Sequence, residues 1–304
     1  MIPFETFLEG TIRTATPLGF AALGETVTER SGIINIGLEG AIIAGAFGGF
    51  VAAGTGHVWI GFAGAGLAGA FIAAIFAFFA IRLRTDQIIA GTAISLMSLG
   101  LTATLYRQIY GATGAALSIP TMTVMEIPGL VSIPIIGRAL FAQPPITYLL
   151  YALIPAVWLW LYRTYSGLGL RAVGEDPRAA VAAGIPANRV QTLAVLLGGT
   201  LGGIAGGTLV IAQAGSFAEG MSAGRGFIAI AIVVLGRWHP FGVAAAAVIF
   251  GAASALQYLF QAMGWSLPYQ LFLALPYVLT LLGLAGIAGK ATAPASLGRW
   301  RDQS

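Results

Sequence analysis

Apolar runs of roughly 20 residues recur along the chain, separated by short polar or charged corners. Roughly 20 apolar residues is the length that an α-helix needs to cross a bilayer. The pattern predicts an all-α fold, a polytopic transmembrane helical bundle of about eight to ten membrane segments. The long predicted helices are Leu8–Val27, Ile33–Gly54, Val58–Leu83, Gln87–Tyr106, Ile146–Tyr162, Val190–Ala212, Phe241–Met263 and Pro268–Ile287.

Two stretches depart from this pattern. Gly226–Gly236 is apolar but has only 11 residues before the break at Arg237–Pro240, which predicts a half-helix. Residues 107–145 contain five prolines and predict an irregular extracytoplasmic loop that holds a surface element or a partial span. We therefore expect a single transmembrane domain over residues 1–304, with a second long loop at residues 164–189.

The charged stretch Arg171–Arg189 contains the signals of a short, separate helix. Asp176 is a preferred N-cap residue and Pro177 suits the first helical position. Alanines continue the helix to Ala183, and Gly184 can adopt the left-handed conformation that ends it. A helix this short is unstable alone in water. We therefore expect this helix to dock against another protein.

Composition supports a membrane protein and narrows its chemistry. The chain is 58% hydrophobic and 9% charged, with a mean hydropathy of +0.88, whereas soluble proteins carry about 25% charged residues. The absence of cysteine excludes disulfides and thiolate metal sites. Glu5 and Glu9 near the N-terminus do not favour a cleaved signal peptide. The surroundings are thus membrane lipid, and the net charge of +4 reflects loop charges rather than a nucleic-acid surface.

The distribution of positive charge predicts the orientation. If residues 163–189 are cytoplasmic, the cytoplasmic side receives Arg30, Arg82, Arg84, Arg163, Arg171, Arg178, Arg189, Arg237, Lys290, Arg299 and Arg301. The other side receives Arg13, Arg107, Arg138 and Arg225. Positive residues favour the cytoplasmic side of a membrane protein, so the short capped helix is expected there.

Polar residues within or beside the apolar runs are candidates for a transport pathway. Asn35 and Glu39 are four residues apart and would share one face of the second predicted helix. An acid at that depth must face protein or a cavity, so the pair either contacts substrate or forms a structural hydrogen bond. Gln213 follows a glycine-rich run as another pathway candidate. With Ser216 and Glu219 it lies in a loop that either receives substrate or an external partner, or is simply solvated.

Glycines at four-residue spacing form two adjacent ridges, at Gly198, Gly202 and Gly206 and at Gly199, Gly203 and Gly207. Such ridges let another helix backbone approach closely, and helix packing is their expected role. A short similarity between residues 30–36 and 225–231 raises the hypothesis of an inverted repeat, with chance as the alternative.

Other chemistry finds no support in the sequence. His57 and His239 are far apart and lack metal-ligand spacing. Gly283–Ala291 differs from the phosphate-binding GxxxxGK[ST] motif at Leu284 and Ala291. We therefore expect no cofactor, no catalytic residues and no nucleotide site, and any energy from ATP must enter through a partner subunit.

Three stretches resemble one family: ETVTERSGIINIGLEG at Glu25–Gly40, GEDPRAAVAAGI at Gly174–Ile185, and GRGFIAIAIVVLGRWHPFG at Gly224–Gly242. The chain resembles the inner-membrane permease subunits of bacterial ABC importers for simple sugars and nucleosides, the ribose-permease-like family. It is most similar to the nucleoside branch paired with receptor lipoproteins of the basic membrane protein type. His239 departs from the family pattern, which has a small polar residue in that turn.

The resemblance implies one half of a dimeric pore that imports nucleosides by alternating access, or a simple sugar such as ribose or galactose. It implies cytoplasmic ABC ATPase subunits, a second permease subunit (a paralogue or a copy), and an extracytoplasmic substrate-binding lipoprotein. It also implies a coupling helix that contacts the ATPase through polar residues and an alanine ridge. The coupling residues are Gly174, Glu175, Asp176, Pro177, Arg178, Ala179, Ala180 and Gly184.

Two hypotheses from other classes compete with this interpretation. A secondary transporter could use Glu39 as a proton relay and would need no ATPase. A membrane scaffold without transport would have no polar residues facing the bundle interior, which Asn35 and Glu39 argue against.

Overall fold

Helices account for most of the structure, a computed structural model that describes residues 2–111, 118–262, 278 and 293–298. Within these ranges the helices are α1 (Ile2–Arg30), α2 (Leu38–Ala53), α3 (Val58–Ala77), α4 (Gln87–Tyr110), α5 (Gly137–Phe141), α6 (Pro145–Arg163), α7 (Tyr165–Glu175), α8 (Pro177–Ala182), α9 (Ala187–Gly207), α10 (Arg225–Leu235) and α11 (Pro240–Ala262). The predicted helix Pro268–Ile287, apart from residue 278, and the Gly283–Ala291 stretch lie outside the described residues.

The all-α helical membrane fold is confirmed. Two short strands, β1 (Met125–Glu126) and β2 (Ala142–Gln143), pair antiparallel within the predicted irregular connection. Five helices of the described chain are long and apolar enough to cross a membrane. They are Val58–Arg82, Gln87–Tyr110, Pro145–Arg163, Ala187–Ala214 and Pro240–Gln257. Two of these include π-helical ends, because Phe78–Arg82 continues α3 and Thr208–Ala214 continues α9.

Helix α1 lies at the centre of the bundle. Phe20 in its middle is fully buried, and the carboxylates of Glu25 and Glu29 are buried near its C-terminal end. Polar side chains in a helix are tolerated at such depth when they face protein rather than lipid. The helix is longer than the predicted Leu8–Val27 at both ends.

The two glycine ridges of α9 pack against different neighbours, which confirms their predicted packing role. Gly198 and Gly206 lie against the backbones of α1 and α2, at Gly24 and Ile42. On the adjacent ridge, Gly203 lies against the backbone of Ala65 in α3. A Cβ atom at either Gly203 or Gly206 would overlap a carbonyl oxygen of the neighbouring helix. Helices α1, α2 and α3 therefore pack against α9 with their backbones in contact.

The second predicted helix is shorter than expected. The sequence predicted Ile33–Gly54, but residues 33–35 are not helical and α2 begins at Leu38. Helix α2 therefore has 16 residues, and α10 has 11. Both are half-helices, because a full crossing takes roughly 20 residues. The half-helix predicted at Gly226–Gly236 is confirmed with bounds one residue earlier.

The two half-helices start against each other and run in opposite directions. Gly226, near the start of α10, abuts the backbone of Glu39, near the start of α2. Helix α2 then runs towards Tyr106 and Tyr110, whereas α10 runs towards Trp238 beside Arg30. This geometry is the one expected of an inverted repeat. The short sequence similarity does not mark equivalent positions, however, because residues 30–36 are largely non-helical and residues 225–231 are helical.

The bundle thus has two ends, named here by their residues. The α8 end holds α7, α8, Arg30 and the start of α9, and the Gln213 end holds Arg13, Arg107 and Gln213. Arg225 was predicted at the Gln213 end. The structure instead places it at the junction of the half-helices, where its guanidinium donates to the Met221 carbonyl oxygen at 2.8 Å.

Candidate functional site

The short capped helix forms as its sequence predicts. Oδ1 of Asp176 accepts hydrogen bonds from the backbone N–H groups of Arg178 and Ala179, at 2.9 and 3.0 Å. Pro177 occupies the first helical position, and Gly184 ends the segment with a φ of +85°. The helix stops at Ala182, one residue before the predicted end. Both ends of α8 are therefore fixed by its own sequence.

Helix α7 was not predicted, because residues 164–175 look like a glycine-containing charged loop. Thr164 caps this 11-residue helix by accepting a hydrogen bond from Gly167 N at 3.1 Å. Leu170 and Val173, three residues apart, are both buried. The Thr164 cap and this apolar spacing are the signals that could have revealed it. The segment between α6 and α9 is thus two helices at a corner, not a loop.

Most of α8 faces away from the bundle. Ala180 alone among its residues is buried, against Val173 of α7 and Ala187 of α9. The charged residues Glu175, Asp176 and Arg178 are exposed, as are Ala179 and Gly184. Large apolar side chains nearby are also exposed: Tyr165 (95%), Leu168 (55%) and Val181 (55%). The α8 end therefore presents a mixed polar and apolar surface suited to a protein partner.

The C-terminal end of α7 contacts the turn that follows α1. The Cα atom of Gly174 lies against the carbonyl oxygen of Arg30. Gln191 of α9 donates to the Ser31 carbonyl oxygen at 3.1 Å. Near the C-terminus, Ser296 Oγ donates to the Gly174 carbonyl oxygen at 2.6 Å, and Gly298 N donates to the Gly32 carbonyl oxygen at 3.2 Å. The turn at residues 30–32 is thus held from three directions.

Three buried carboxylates hold the half-helices beyond that turn. Glu25 Oε1 accepts from the backbone N–H of Asn35 at 2.9 Å. Glu29 Oε2 accepts from Trp238 Nε1, just past the end of α10. Glu39 accepts at both oxygens from the start of α10, because Gly224 N and Gly226 N donate at 2.9 and 2.7 Å. All three carboxylates belong to the ETVTERSGIINIGLEG stretch and bind backbone or indole N–H groups at breaks between helices.

Arg30 completes this arrangement at the α8 end. Its Nε donates to the Trp238 carbonyl oxygen at 3.0 Å, and a terminal nitrogen donates to the Tyr162 hydroxyl at 3.1 Å. His239 packs against Tyr162 in a tilted arrangement, with ring centroids 5.4 Å apart. Burial, and then the charge of Arg30, lower the pKa of His239 from its ordinary value of 6.5. The neutral imidazole is thus favoured beside the arginine.

Asn35 and Glu39 do not share a helix face, so that prediction was wrong. Asn35 lies in the non-helical segment before α2, and Glu39 lies in the first turn of α2. The Asn35 side chain is 1% exposed, and neither of its amide atoms has a hydrogen-bond partner among the described residues. Buried polar atoms are normally paired, so the Asn35 amide, like Oε2 of Glu25 and Oε1 of Glu29, can bind another molecule.

Gln213 takes part in packing at the other end of the bundle. Pro17 has no N–H, which leaves the carbonyl oxygen of Arg13 without its partner inside α1. The side chain of Gln213 donates to that oxygen from Nε2 at 2.7 Å. In return, Arg13 donates to the backbone oxygen of Gln213 at 3.2 Å. The Gln213 side chain therefore supplies the hydrogen bond to the Arg13 carbonyl oxygen that Pro17 cannot donate.

The loop before α10 is anchored at the Gln213 end. Glu219 forms a bidentate pair with Arg107 of α4, with N···O distances of 2.7 and 2.6 Å. This hydrogen-bonded pairing lowers the pKa of Glu219 from its ordinary value of 4.5. The pair fixes the loop to the end of α4, so Glu219 is not simply solvated.

Three relatives that match most of this chain are named as ABC transporter permease proteins. It is 37% identical to the Guanosine ABC transporter permease protein NupQ of Bacillus subtilis, covering 95% of this chain and 93% of that protein. It is 34% identical to the Nucleoside ABC transporter permease protein NupC of Lactococcus lactis, covering 93% and 92%. It is 40% identical to the Putative glucose ABC transporter permease protein TsgC13 of Haloferax volcanii, covering 86% and 79%.

These relatives and the five apolar helices identify a multi-pass protein of the inner membrane that acts as a transport subunit. Such permeases imply an ATPase and a substrate-binding partner. The family described as "Branched-chain amino acid transport system / permease component" matches residues 7–284, which is most of the chain. The chain therefore belongs to this family of ABC transporter permease components.

Proposed function

We propose that this chain forms half of the translocation pathway of an ATP-driven importer of nucleosides, working by alternating access. The observation that supports this most directly is the α7–α8 corner. It offers a capped, exposed helix to a partner on one side and contacts the turn that leads to the half-helices on the other. A movement of the corner would therefore reach the centre of the bundle through packed backbone.

The partner at the α8 end is a cytoplasmic ABC ATPase. Glu175, Asp176 and Arg178 supply its polar contacts, and exposed Val181 fits a hydrophobic groove. Two ATPase domains act on the dimeric pore, whose other half is a second permease subunit. The presence of two related glucose permeases in Haloferax volcanii, at 40% and 29% identity, favours a paralogue over a second copy.

Force from the ATPase follows a defined route. Displacement of α8 moves Gly174, which pushes the Arg30–Gly32 turn through its contact with the Arg30 carbonyl. The turn continues into the segment that carries Asn35, whose backbone is tied to Glu25. Because Glu39 links the starts of α2 and α10, the two half-helices shift together. The pathway opens to alternate sides as they tilt, and the unpaired amide of Asn35 contacts the passing substrate.

A receptor lipoprotein delivers the substrate to the Gln213 end, where the Glu219–Arg107 pair holds the loop that leads to α10. Nucleoside is the proposed substrate because two relatives that match nearly the whole chain are named for guanosine and for nucleosides. The glucose permease relative favours a simple sugar as the second candidate. Uptake of labelled guanosine, competed by unlabelled nucleosides or glucose, distinguishes them. Uptake of labelled glucose without any uptake of labelled guanosine would replace the nucleoside assignment.

A proton-coupled transporter fits the contacts of Glu39 less well. Both of its oxygens already accept hydrogen bonds from the start of α10. Protonation would turn one acceptor into a donor and disrupt the junction. Uptake that a protonophore abolishes, but that ATP depletion leaves unchanged, would favour this rival.

The coupling role of α8 is tested at its two ends. Asp176→Lys removes the cap, and Gly184→Val places a β-branched residue at a φ of +85°. We expect both variants to insert normally but to lose uptake and substrate-stimulated ATP hydrolysis. Asp176→Asn is the matched control, since asparagine also caps helices, and it should keep most activity. Normal uptake with both Asp176→Lys and Gly184→Val would contradict the proposal.

A further inference from the structure

A groove runs along the outside of the bundle between α3, with its π-helical end, and α9. Its volume is about 570 Å³, within the range of small-molecule sites. Ala74 and Ala77 of α3 are among its lining residues. Phe78 and Leu193 line its sides and are 52% and 61% exposed. Because these residues belong to two helices predicted to cross the membrane, the body of the groove faces the acyl chains.

The groove ends at two arginines at the α8 end. Arg82 closes the π-helical turn and Arg189 lies in the first turn of α9, and both line the same cavity. Both side chains are exposed, and neither forms an ion pair with a carboxylate within the described part of the chain. Two like charges at one mouth repel each other, so the mouth favours an anion. The hydroxyl-bearing Thr192 adds a polar group beside them.

We propose that this groove binds one anionic phospholipid from the membrane leaflet at the α8 end. An acyl chain lies along Ala74, Ala77 and Leu193, and the phosphate sits between Arg82 and Arg189. Basic pockets between helices at the cytoplasmic face are suited to anionic lipid headgroups. Guanidinium groups bind phosphate oxygens in bidentate geometry, which arginine provides better than lysine. The apolar body and the charged mouth thus match the two parts of such a lipid.

The position of the groove means that a bound lipid would contact both α3 and α9 close to α8. Its α9 wall begins five residues after the end of α8, and its other wall is α3, which packs on the glycine ridge of α9. A lipid bridging Arg82 and Arg189 would join the two helices at the end where α8 meets its partner. This inference does not depend on the identity of the transported substrate.

The test uses the purified full-length chain with its partner subunits in detergent, after removal of native lipid. Phosphatidylglycerol or phosphatidylcholine with the same acyl chains is titrated in, and bound lipid is counted by native mass spectrometry. We expect one phosphatidylglycerol to bind in preference to phosphatidylcholine. Glycerol phosphate, the soluble headgroup alone, should not compete at equal concentration. Equal binding of both lipids, or full competition by glycerol phosphate, would overturn the lipid assignment.

Variants locate the binding. Arg82→Gln or Arg189→Gln should each weaken phosphatidylglycerol binding about fivefold, and both together roughly thirtyfold, since each positive charge near the membrane surface contributes on the order of 1 kcal/mol. Arg163→Gln is the matched control, because Arg163 is exposed at the same end but does not line the groove. A double variant that binds like the unaltered chain, or an equal loss with Arg163→Gln, contradicts the proposal.

A second copy of the chain is the competing occupant, and the absence of cysteine makes it testable. Ala74→Cys places a single thiol in the lining of the groove. If two copies met face to face at this groove, mild oxidation in membranes would give a disulfide-linked dimer, and the lipid proposal would fall. We expect the thiol to stay monomeric and to be protected from a membrane-permeant maleimide by phosphatidylglycerol.

Discussion

Gly174 meets Arg30 backbone to backbone, so that a Cβ atom at position 174 would overlap the Arg30 carbonyl oxygen. This contact joins the exposed α7–α8 corner to the turn between α1 and α2. Contacts between backbones are stiffer than contacts between long side chains, because no rotamer change can relieve them. The contact is therefore well placed to transmit movement into the bundle.

Replacing Gly174 by alanine should disturb this contact. We expect Gly174→Ala to lower the free energy of unfolding by about 1–3 kcal/mol, the usual cost of overpacking, and to reduce uptake per inserted molecule. Gly169→Ala in the same helix is the control, because its Cβ would meet only an Ile185 carbon at 3.9 Å. That variant should keep uptake and melting temperature. Equal behaviour of the two variants in melting and uptake would show that the Gly174 contact is not used.

The compensation of Pro17 by Gln213 predicts a specific pattern of coupling. Gln213→Ala leaves the Arg13 carbonyl oxygen without a donor, and we expect a loss of about 1 kcal/mol in stability. Pro17→Ala restores an N–H inside α1 that can donate to the same oxygen. In that background Gln213→Ala should cost much less. Melting temperatures of the four chains form a double-mutant cycle, and strictly additive losses would argue against the compensation.

The fold was predictable from the sequence where the signal is local. Apolar length identifies most of the long helices, and Asp176, Pro177 and Gly184 define α8 within one residue. The half-helix α10 was predicted because an arginine, a histidine and a proline end it. In each case the residues that set the boundary are neighbours in the chain.

The half-helix junction could not be predicted in the same way. Residues 33–37 are as apolar as the helix that follows, so nothing local separates them from α2. They stay outside the helix because distant groups hold them: Glu25 accepts a hydrogen bond from Asn35 N, and Ser95 donates to the Ile36 carbonyl oxygen at 3.1 Å. Likewise, the partner of Glu39 lies 185 residues away at Gly224. Tertiary contacts therefore determine that α2 begins only at Leu38. This is why the prediction that Asn35 and Glu39 share one helix face was wrong.

Glu39 should be important for the junction through both of its oxygens. Glu39→Ala leaves the partly buried N–H of Gly224 and the buried N–H of Gly226 unpaired, and a buried unpaired N–H costs about 1–3 kcal/mol. Glu39→Gln keeps one acceptor oxygen and turns an NH₂ group towards the other N–H. The melting temperature should therefore fall in the order unaltered chain, Glu39→Gln, Glu39→Ala. Glu126→Ala, at an exposed carboxylate, should change little, and a Glu39→Ala chain as stable as this control would disprove the capping role.

The last prediction concerns the pH dependence of the Glu219–Arg107 pair. Because pairing with Arg107 lowers the pKa of Glu219 below 4.5, its contribution is fully present above the ordinary value. It is lost as the pH falls through the lowered pKa of the folded state. The coupling energy between Arg107→Gln and Glu219→Gln, measured from melting temperatures, should be small but favourable at pH 6 and should decrease as the pH falls below 4.5. High salt should also reduce it at pH 6, since the pair is exposed. A coupling energy that stays constant down to pH 3 would mean that this loop is held by contacts other than the ion pair.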